Sequence, residues 1–289
     1  MSNIPKIIHY CWFGHGELNK DFDKCIESWK KYHPDYIIKK WDETNFDLSH
    51  VPDYVKQAYE SKCYAIVSDY ARAKIVYENG GWYLDTDVEI LKSFFDNYSN
   101  YNFVASIENN LNKNAMKYYN KCVDENKHRN NGEDGFVYGV SIIMSMFGAI
   151  KNCKYLKDVI EFYNKLDFKK HDYKGCLFAG APIGPQIYAR CLEPYGFVYD
   201  TIEQHLDDNI LITGTEIIRN GEDENTYDGI TCAVHKCTFS WFINFLAQHP
   251  KAKVTKSKDG KKEIVKIKRG IFRKPKIFTL IHEKEQDIY

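Results

Sequence analysis

Apolar residues occur in short blocks separated by turn residues, and their spacing predicts alternating strands and helices. Residues 4–13 form an apolar run that ends at Gly14, which predicts a buried first strand. The pattern then predicts a helix over residues 21–32, stopped by Pro34, and a second strand over residues 36–41. A strand–helix–strand opening is typical of a parallel sheet, so the expected fold class is α/β.

The middle of the chain continues this alternation. We expect a helix from a cap at Ser68 to Asn79, stopped by Gly80, and then a strand over residues 82–84. The other predicted elements are strands at 103–107, 137–146 and 230–235, a helix that starts at Pro52, and helices at 155–166, 185–192 and 239–246. From Pro250 onward, lysine-rich alternation predicts an exposed hairpin or tail.

Composition narrows the class of protein. Of 289 residues, 44% are hydrophobic and 28% are charged, which is typical of a globular protein and excludes disorder and a multispanning membrane protein. The run 140–150 is much shorter than the roughly 18–20 residues of a membrane span. The start has no continuous apolar run, so we expect a cytoplasmic protein without a secretory signal. Nine scattered cysteines without a Cys-x-x-Cys pair favour reduced thiols.

Charge is distributed unevenly along the chain. Lys and Arg total 40 and Asp and Glu total 40, yet residues 251–276 hold twelve basic residues and only Asp259 and Glu263, a balance of +10. The remainder, with 28 basic and 38 acidic residues, carries −10. A basic segment on an acidic body favours contact with an anionic surface. Only Phe272 and Phe278 could stack on bases, so an anionic membrane is favoured over nucleic acid, which we do not expect as a partner.

These observations predict a catalytic domain over residues 1–249 and a basic C-terminal extension over residues 250–289. The extension is interpreted as a contact with the inner face of the membrane. A solvated charge run without a partner is an equal alternative.

The densest chemical signal lies in residues 68–90, where Asp85, Thr86 and Asp87 follow a predicted strand. The carboxyl ends of strands are where open α/β sheets bind ligands. At a strand end that bends into a loop, two carboxylates can converge on one cation. An oxygen pair suits Mg²⁺ or Mn²⁺, which retain positions for substrate phosphates, so a diphosphate substrate is expected. An Asp-x-Asp pair by itself is also frequent in surface turns.

Asp69 and Arg72 stand at positions i and i+3 of the predicted helix, on one helical face. The pair can clamp sugar hydroxyls. The alternative is an ordinary ion pair within the helix.

Three blocks of sequence together resemble glycosyltransferase family 32: IPKIIHYCWFG at 4–14, SDYARAKIVYENGGWYLDTDVEI at 68–90 and AVHKCTFSW at 233–241. The resemblance implies a GT-A fold, which is Rossmann-like with a mostly parallel sheet and helices on both faces. It also implies a nucleotide-sugar donor, a divalent metal and retention of anomeric configuration.

The resemblance also assigns site residues. Asp85 and Asp87 match the metal-binding acids, and His235 matches a late histidine that completes the metal site. Neutral imidazole is an acceptable ligand for Mn²⁺. Asp69 and Arg72 then take the role of orienting the donor sugar.

Further donor contacts follow from the first and last blocks. Trp12 matches a tryptophan that stacks on the nucleobase in related glucosylating toxins, with core packing as the alternative. Ser240 and Trp241 resemble the loop of those toxins that closes over the leaving diphosphate. Gly184 and Pro185 resemble a Gly-Pro segment near the acceptor.

The expected function is a metal-dependent retaining glycosyltransferase. It would move a sugar from a nucleotide-sugar, a UDP-sugar first, to a saccharide or lipid-linked acceptor in capsular or exopolysaccharide biosynthesis. One alternative is a haloacid-dehalogenase-like phosphatase, with Asp85 as nucleophile, Asp87 as acid/base, and Asp207 and Asp208 as its second acidic pair. The other alternative is a non-catalytic module that binds nucleotide-sugars.

Overall fold

The structure is a computed structural model. It describes residues 3–18, 22–111, 113–168, 183–221 and 229–237, and the backbone of residues 253–256, 262–267 and 276–281.

Helices and strands alternate through most of the described chain. The helices are α1 (Asp23–Tyr32), α2 (Asp53–Glu60), α3 (Tyr64–Asn79), α4 (Lys113–Cys122), α5 (Lys154–Tyr163) and α6 (Gly184–Leu192). The strands before α5 are β1 (Ile7–Cys11), β2 (Ile37–Trp41), β3 (Gly81–Leu84), β4 (Val88–Ile90), β5 (Phe103–Asn109), β6 (Val140–Ile142) and β7 (Met146–Ala149). The later strands are β8 (Gln204–Leu206), β9 (Ile210–Thr213), β10 (Ile218–Asn220), β11 (Ala233–His235), β12 (Lys253–Lys256), β13 (Lys262–Ile267) and β14 (Lys276–Ile281).

Eight of the described strands form one central sheet in the order β2-β1-β3-β7-β5-β9-β8, with β6 paired to β5. Strand β1 runs parallel to β2 and β3, and β5 runs parallel to β9. Strand β7 is antiparallel to β3 and β5, while β8 and β6 are antiparallel to β9 and β5. Five strands therefore share one direction, which confirms the expected α/β class with a mainly parallel sheet.

Side chains of β3 alternate between two hydrophobic cores, one on each face of the sheet. Trp82 and Leu84 pack in the core that contains Trp29 of α1. Tyr83 packs in the opposite core with residues of α3 and α5, including Val67 and Leu156. The expected arrangement of helices on both faces is therefore confirmed.

The turn between α3 and β3 depends on two glycines. Gly80 ends α3 with φ +68°, and Gly81 follows with φ +111°, in the region that favours glycine. A Cβ on Gly81 would lie 2.6 Å from the Ile7 carbonyl oxygen, so this turn lets β3 approach β1 closely.

Two predicted elements are wrong in detail. Helix α3 begins at Tyr64, so Ser68 lies inside the helix and is not its cap, because the apolar face extends one turn toward the N-terminus. The predicted strand 137–146 is divided into β6 and β7. Between them the Met144 carbonyl accepts from Arg72 and the Ser145 carbonyl accepts from the Asp85 amide, so tertiary partners replace partners in the sheet.

The cysteine prediction is partly wrong as well. Seven described cysteines are free thiols, as expected: Cys11, Cys25, Cys122, Cys153, Cys191, Cys232 and Cys237. Cys63, which precedes α3, is disulfide-bonded. Composition carried no signal for this exception.

Two small sheets complete the described structure. In the first, β11 runs parallel to β10 and antiparallel to β4. In the second, β12, β13 and β14 form an antiparallel sheet within the basic extension. The predicted helix at 239–246 lies outside the described residues. Over the described residues, each helix is too short or too polar to cross a bilayer.

Candidate active site

A cleft of about 250 Å³ lies at the carboxyl end of β3. Asp85, Thr86 and Asp87 form the short loop between β3 and β4 and reach this cleft. The described residues that line it are Cys11, Trp12, Phe13, Tyr64, Ala65, Ser68, Asp69, Arg72, Asp85, Thr86, Asp87, Glu108, Ile143, Met144, Ser145, Ile183, Pro185, His235 and Cys237.

His235 reaches the cleft through pairing between β4 and β11. The two strands are antiparallel, with His235 opposite Val88, and the Lys236 amide donates to the Asp87 carbonyl over 2.9 Å. As a result, His235 Nε2 lies 3.4 Å from Asp87 Oδ1. Ligand atoms of Asp85, Asp87 and His235 all lie within 4.8 Å of one another. Three such groups could hold one divalent cation.

Two side chains, those of Tyr83 and Arg72, hold the Asp85 carboxylate in the metal-free protein. Its Oδ1 accepts from the Tyr83 hydroxyl over 2.8 Å, and its Oδ2 lies 3.3 Å from Arg72 Nη1. Burial raises the pKa of the Asp85 carboxyl, while the Arg72 guanidinium offsets part of that rise. The arrangement holds a carboxylate in place at the floor of the cleft.

Arg72 directs its guanidinium to protein acceptors. Nε donates to the Ser68 carbonyl over 3.2 Å, and Nη1 donates to the Met144 carbonyl over 2.6 Å. Nη2 lies 3.0 Å from Asp69 Oδ1, and the side chain is only 6% exposed. Arg72 therefore holds Asp69 and Asp85 apart at fixed positions. The ion pair within the helix, which was the alternative interpretation of the i, i+3 spacing, is present. Arg72 itself has little exposed surface with which to contact a sugar.

Asp69 links α3 to the start of α6. Its Oδ2 accepts from the Gly184 amide over 3.0 Å, and a Cβ on Gly184 would lie 2.7 Å from the Asp69 carboxylate. Burial raises the pKa of Asp69 to about 6, although Arg72 lowers it. The Gly184 amide at the first turn of a helix is a favourable partner for a carboxylate. Asp69 thus lines the cleft while Oδ1 pairs with Arg72 and Oδ2 accepts from the Gly184 amide.

His235 is held by neighbours on its other ring nitrogen. Nδ1 lies 3.2 Å from Asn220 Oδ1 and 3.4 Å from Cys237 Sγ. Burial lowers the pKa of the imidazole, but Cys237 and Asp87 raise it by more, so the pKa lies well above its ordinary value. A cation between Asp85 and Asp87 would oppose protonation of the ring, because both compete for the same lone pair.

Trp12 follows β1 and lines the cleft. Its Nε1 donates to the Gly16 carbonyl over 2.8 Å, and its ring meets Phe22 edge to face. These contacts hold the indole in place beside the cleft. Ser240 and Trp241 lie outside the described residues.

Sequence reasoning missed Glu108 and Asn220. Glu108 lies near the end of β5 and lines the cleft, and Asn220 ends β10 next to His235. The signal for Glu108 was present, because it directly follows a predicted strand at 103–107. No signal pointed to Asn220, since its place depends on pairing with β11.

The acidic pair required by the phosphatase alternative lies in the wrong place. Asp207 and Asp208 precede β9, whereas Asp85 follows β3, and both strands run in the same direction. The two acidic pairs therefore lie at opposite ends of the parallel strands. Asp207 and Asp208 cannot join Asp85 and Asp87 in one site.

One segment of the chain matches a known protein family. Residues 19–106 match the family model described as a glycosyltransferase sugar-binding region containing a DXD motif. This region includes Asp69, Arg72, Asp85 and Asp87. Residues 19–106 are therefore similar to the DXD sugar-binding region of glycosyltransferases, in agreement with the resemblance. Among curated proteins, no sequence relative was found.

Several solved structures are similar to the chain at low identity. The PaToxG glycosyltransferase is 16% identical over 67% of this chain and 69% of its own, with a TM-score of 0.45. A glycosyltransferase involved in glycosylation of the major capsid of PBCV-1 is 10% identical over 83% of this chain and 99% of its own, with a TM-score of 0.42. The galactosyltransferase LgtC, in complex with donor and acceptor sugar analogs, is 13% identical over 81% of this chain and 87% of its own, with a TM-score of 0.34.

Proposed function

We propose that this glycosyltransferase is a metal-dependent enzyme of the GT-A type that transfers a sugar from a nucleotide-sugar, a UDP-sugar first, with retention of anomeric configuration. The observation that carries the proposal is the cluster of Asp85, Asp87 and His235, whose ligand atoms lie within 4.8 Å of one another. Two carboxylates and one imidazole suit Mn²⁺, and the carboxylates also suit Mg²⁺. The resemblance to family 32 supports the donor class and the stereochemistry.

When bound, the cation would neutralise charge on the donor diphosphate and so assist its departure. Asp85 and Asp87 would hold it from the β3–β4 loop, and His235 would hold it from β11. Asp69 is the group placed to accept hydrogen bonds from sugar hydroxyls, while Arg72 positions Asp69 and Asp85. Trp12 would offer a ring to the base. Ser240 and Trp241 remain assigned to the diphosphate by resemblance alone.

The acceptor and the place of action are proposed from charge. A basic segment of net charge +10 over residues 251–276 fits an anionic membrane surface. We therefore place the enzyme in the cytoplasm at the inner face of the membrane, where a saccharide or lipid-linked acceptor of capsular or exopolysaccharide biosynthesis would be found.

The decisive experiment is a donor-hydrolysis screen across UDP- and GDP-sugars with Mn²⁺, with Mg²⁺ and with a chelator. Metal-dependent release of UDP or GDP supports the proposal. Hydrolysis of phosphomonoesters in its place would favour the phosphatase, and tight donor binding without turnover would favour a binding module. The anomeric configuration of the transferred sugar, followed by NMR during the reaction, tests retention.

A further inference from the structure

A chain of three polar side chains extends from the ring nitrogen of His235 that does not face Asp87. Asn220 Oδ1 lies 3.2 Å from His235 Nδ1, and Asn220 Nδ2 lies 3.4 Å from Glu108 Oε1. Asn220 and His235 are register partners in β10 and β11, whereas Glu108 belongs to β5 of the central sheet. The contact therefore joins the small sheet to the central sheet beside the cation cluster.

The polarity of this chain follows from the chemistry of its members. A carboxylate only accepts hydrogen bonds, so the amide nitrogen of Asn220 must face Glu108. The amide oxygen then faces His235 and also only accepts, so His235 Nδ1 must carry a proton. Nε2 is then the nitrogen that faces Asp87, with Oδ1 3.4 Å away, and the cation cluster.

Other contacts agree with this polarity. The Ser141 hydroxyl donates to Glu108 Oε2 over 2.9 Å, and the Asn110 side chain also hydrogen-bonds to Glu108. Ser141 is the register partner of Glu108 between β6 and β5, so the sheet itself holds the carboxylate. Cys237 Sγ lies 3.5 Å from the His235 carbonyl oxygen and 3.4 Å from Nδ1. Its thiol can donate to the carbonyl while the sulfur accepts from Nδ1–H.

We propose that Glu108 and Asn220 are positioning residues that fix the ring orientation of His235, so that Nε2 is presented to a cation. Partners of this kind raise the basicity of a ligating imidazole and typically change metal affinity 10- to 100-fold when removed. The consequence for metal binding rests on the proposed function. The contact between Asn220 and Nδ1 does not, because it is present in the metal-free protein.

The first test observes the Nδ1–H proton in metal-free protein by NMR of ¹⁵N-labelled histidines. The signal of His235 is assigned by its absence from H235Q. We expect an Nδ1–H that is protected from exchange with water in the wild type and lost to fast exchange in N220L. E108Q provides a second variant, since its amide can present either end to Asn220, and we expect intermediate protection. An Nδ1–H that exchanges as fast in the wild type as in N220L, or equal protection in all three proteins, would overturn the proposal.

The second test measures Mn²⁺ affinity by electron paramagnetic resonance on the same proteins. We expect the Kd to rise about 10-fold in N220L and the double variant E108Q/N220L to bind no more weakly, because both changes break one chain. The matched control is N79L at the end of α3, whose amide donates to the Ile75 carbonyl far along the helix from the cleft.

The two tests separate the two proposals. Wild-type protein that binds no Mn²⁺ would contradict the proposed metal site, while NMR would still decide the role of Glu108 and Asn220. Wild-type protein that binds Mn²⁺, with equal affinity in N220L, would overturn the positioning role and leave the metal site standing.

Discussion

Asp87 and His235 face each other across the pairing of β4 with β11, with Oδ1 3.4 Å from Nε2. The register places His235 opposite Val88, and the Lys236 amide holds the Asp87 carbonyl. The backbone segments that carry the two side chains are therefore joined by hydrogen bonds. Ligand groups placed on a rigid backbone are held more precisely than groups on a free loop.

The metal role predicts the outcome of D87N. The substitution keeps the size of the side chain but removes a negative charge from the cluster, so we expect transfer to fall at least a hundredfold, about 2.7 kcal/mol in the activation free energy. The measurement is the rate of transfer at saturating Mn²⁺, with Mn²⁺ affinity measured in parallel. D208N, at the opposite end of the parallel strands, is the matched control. Folded D87N with near-normal turnover would refute the role.

Arg72 predicts a large effect on stability. Its guanidinium contacts Asp69 and Asp85 with only 6% of the side chain exposed, so R72A leaves two partly buried carboxylates without their partner. We expect the free energy of unfolding to fall by about 3–5 kcal/mol. R72K should recover only part of this free energy, because the lysine ammonium cannot replace the planar guanidinium that contacts both carboxylates.

Denaturant unfolding measures this effect. K74A on the same helix removes an exposed i, i+4 pair with Glu78 and should cost no more than about 0.5 kcal/mol. If R72A and K74A unfold at similar denaturant concentrations, the assigned role of Arg72 is wrong.

Asp69 predicts a pH dependence of stability. Burial raises its pKa to about 6 from an ordinary value of 3.8. Between these pH values the folded state binds more protons than the unfolded state, so the contribution of Asp69 to the free energy of unfolding falls as pH rises from about 4 to about 6. Asparagine does not titrate, so D69N does not lose stability in this way as the pH rises. The difference in unfolding free energy, D69N minus wild type, should therefore increase across that window.

Unfolding curves at several pH values between 4 and 7 check this sign. S68A, one residue earlier and without a titratable group, should differ from the wild type by a constant amount. A D69N difference that is also constant, or that decreases with pH, would contradict the assignment.

The basic extension predicts membrane binding. Each Lys or Arg near an anionic surface contributes about 1 kcal/mol, screened over roughly 10 Å at 0.1 M salt. We expect a chain cut after Pro250 to retain metal-dependent donor hydrolysis but to lose salt-sensitive binding to vesicles that contain phosphatidylserine. Sedimentation with vesicles at two salt concentrations measures this.

A charge variant separates the effect of charge from the loss of chain. Replacing Lys261, Lys262, Lys266 and Lys268 by Gln keeps the length and lowers the charge of the extension by four. Its vesicle binding should fall between the wild type and the truncated chain. Equal binding by all three proteins would rule out the membrane role, and a truncated chain that fails to fold would show that residues 251–289 belong to the core.

Local patterns were enough to predict most elements that lead to the site. The apolar run before Gly14, the glycines after α3 and the strand that ends at Leu84 each act within a few residues, so sequence spacing records them. The errors arose where distant partners intervened. The break at 143–145 depends on Arg72 and Asp85, and the start of α3 depends on the core against which it packs.

The sequence by itself determined the carboxylates of Asp85 and Asp87 at a strand end, the Asp69–Arg72 pair on one helical face and, through resemblance, the class of reaction. Only the tertiary structure decided that Arg72 serves two carboxylates and that Asp69 binds the start of α6. It also decided that Asn220 contacts His235 Nδ1 and that Glu108 contacts Asn220. The physical reason is that these relationships depend on strand order and on the register of β10 and β11, which join segments far apart in the chain and leave no periodic trace in the sequence.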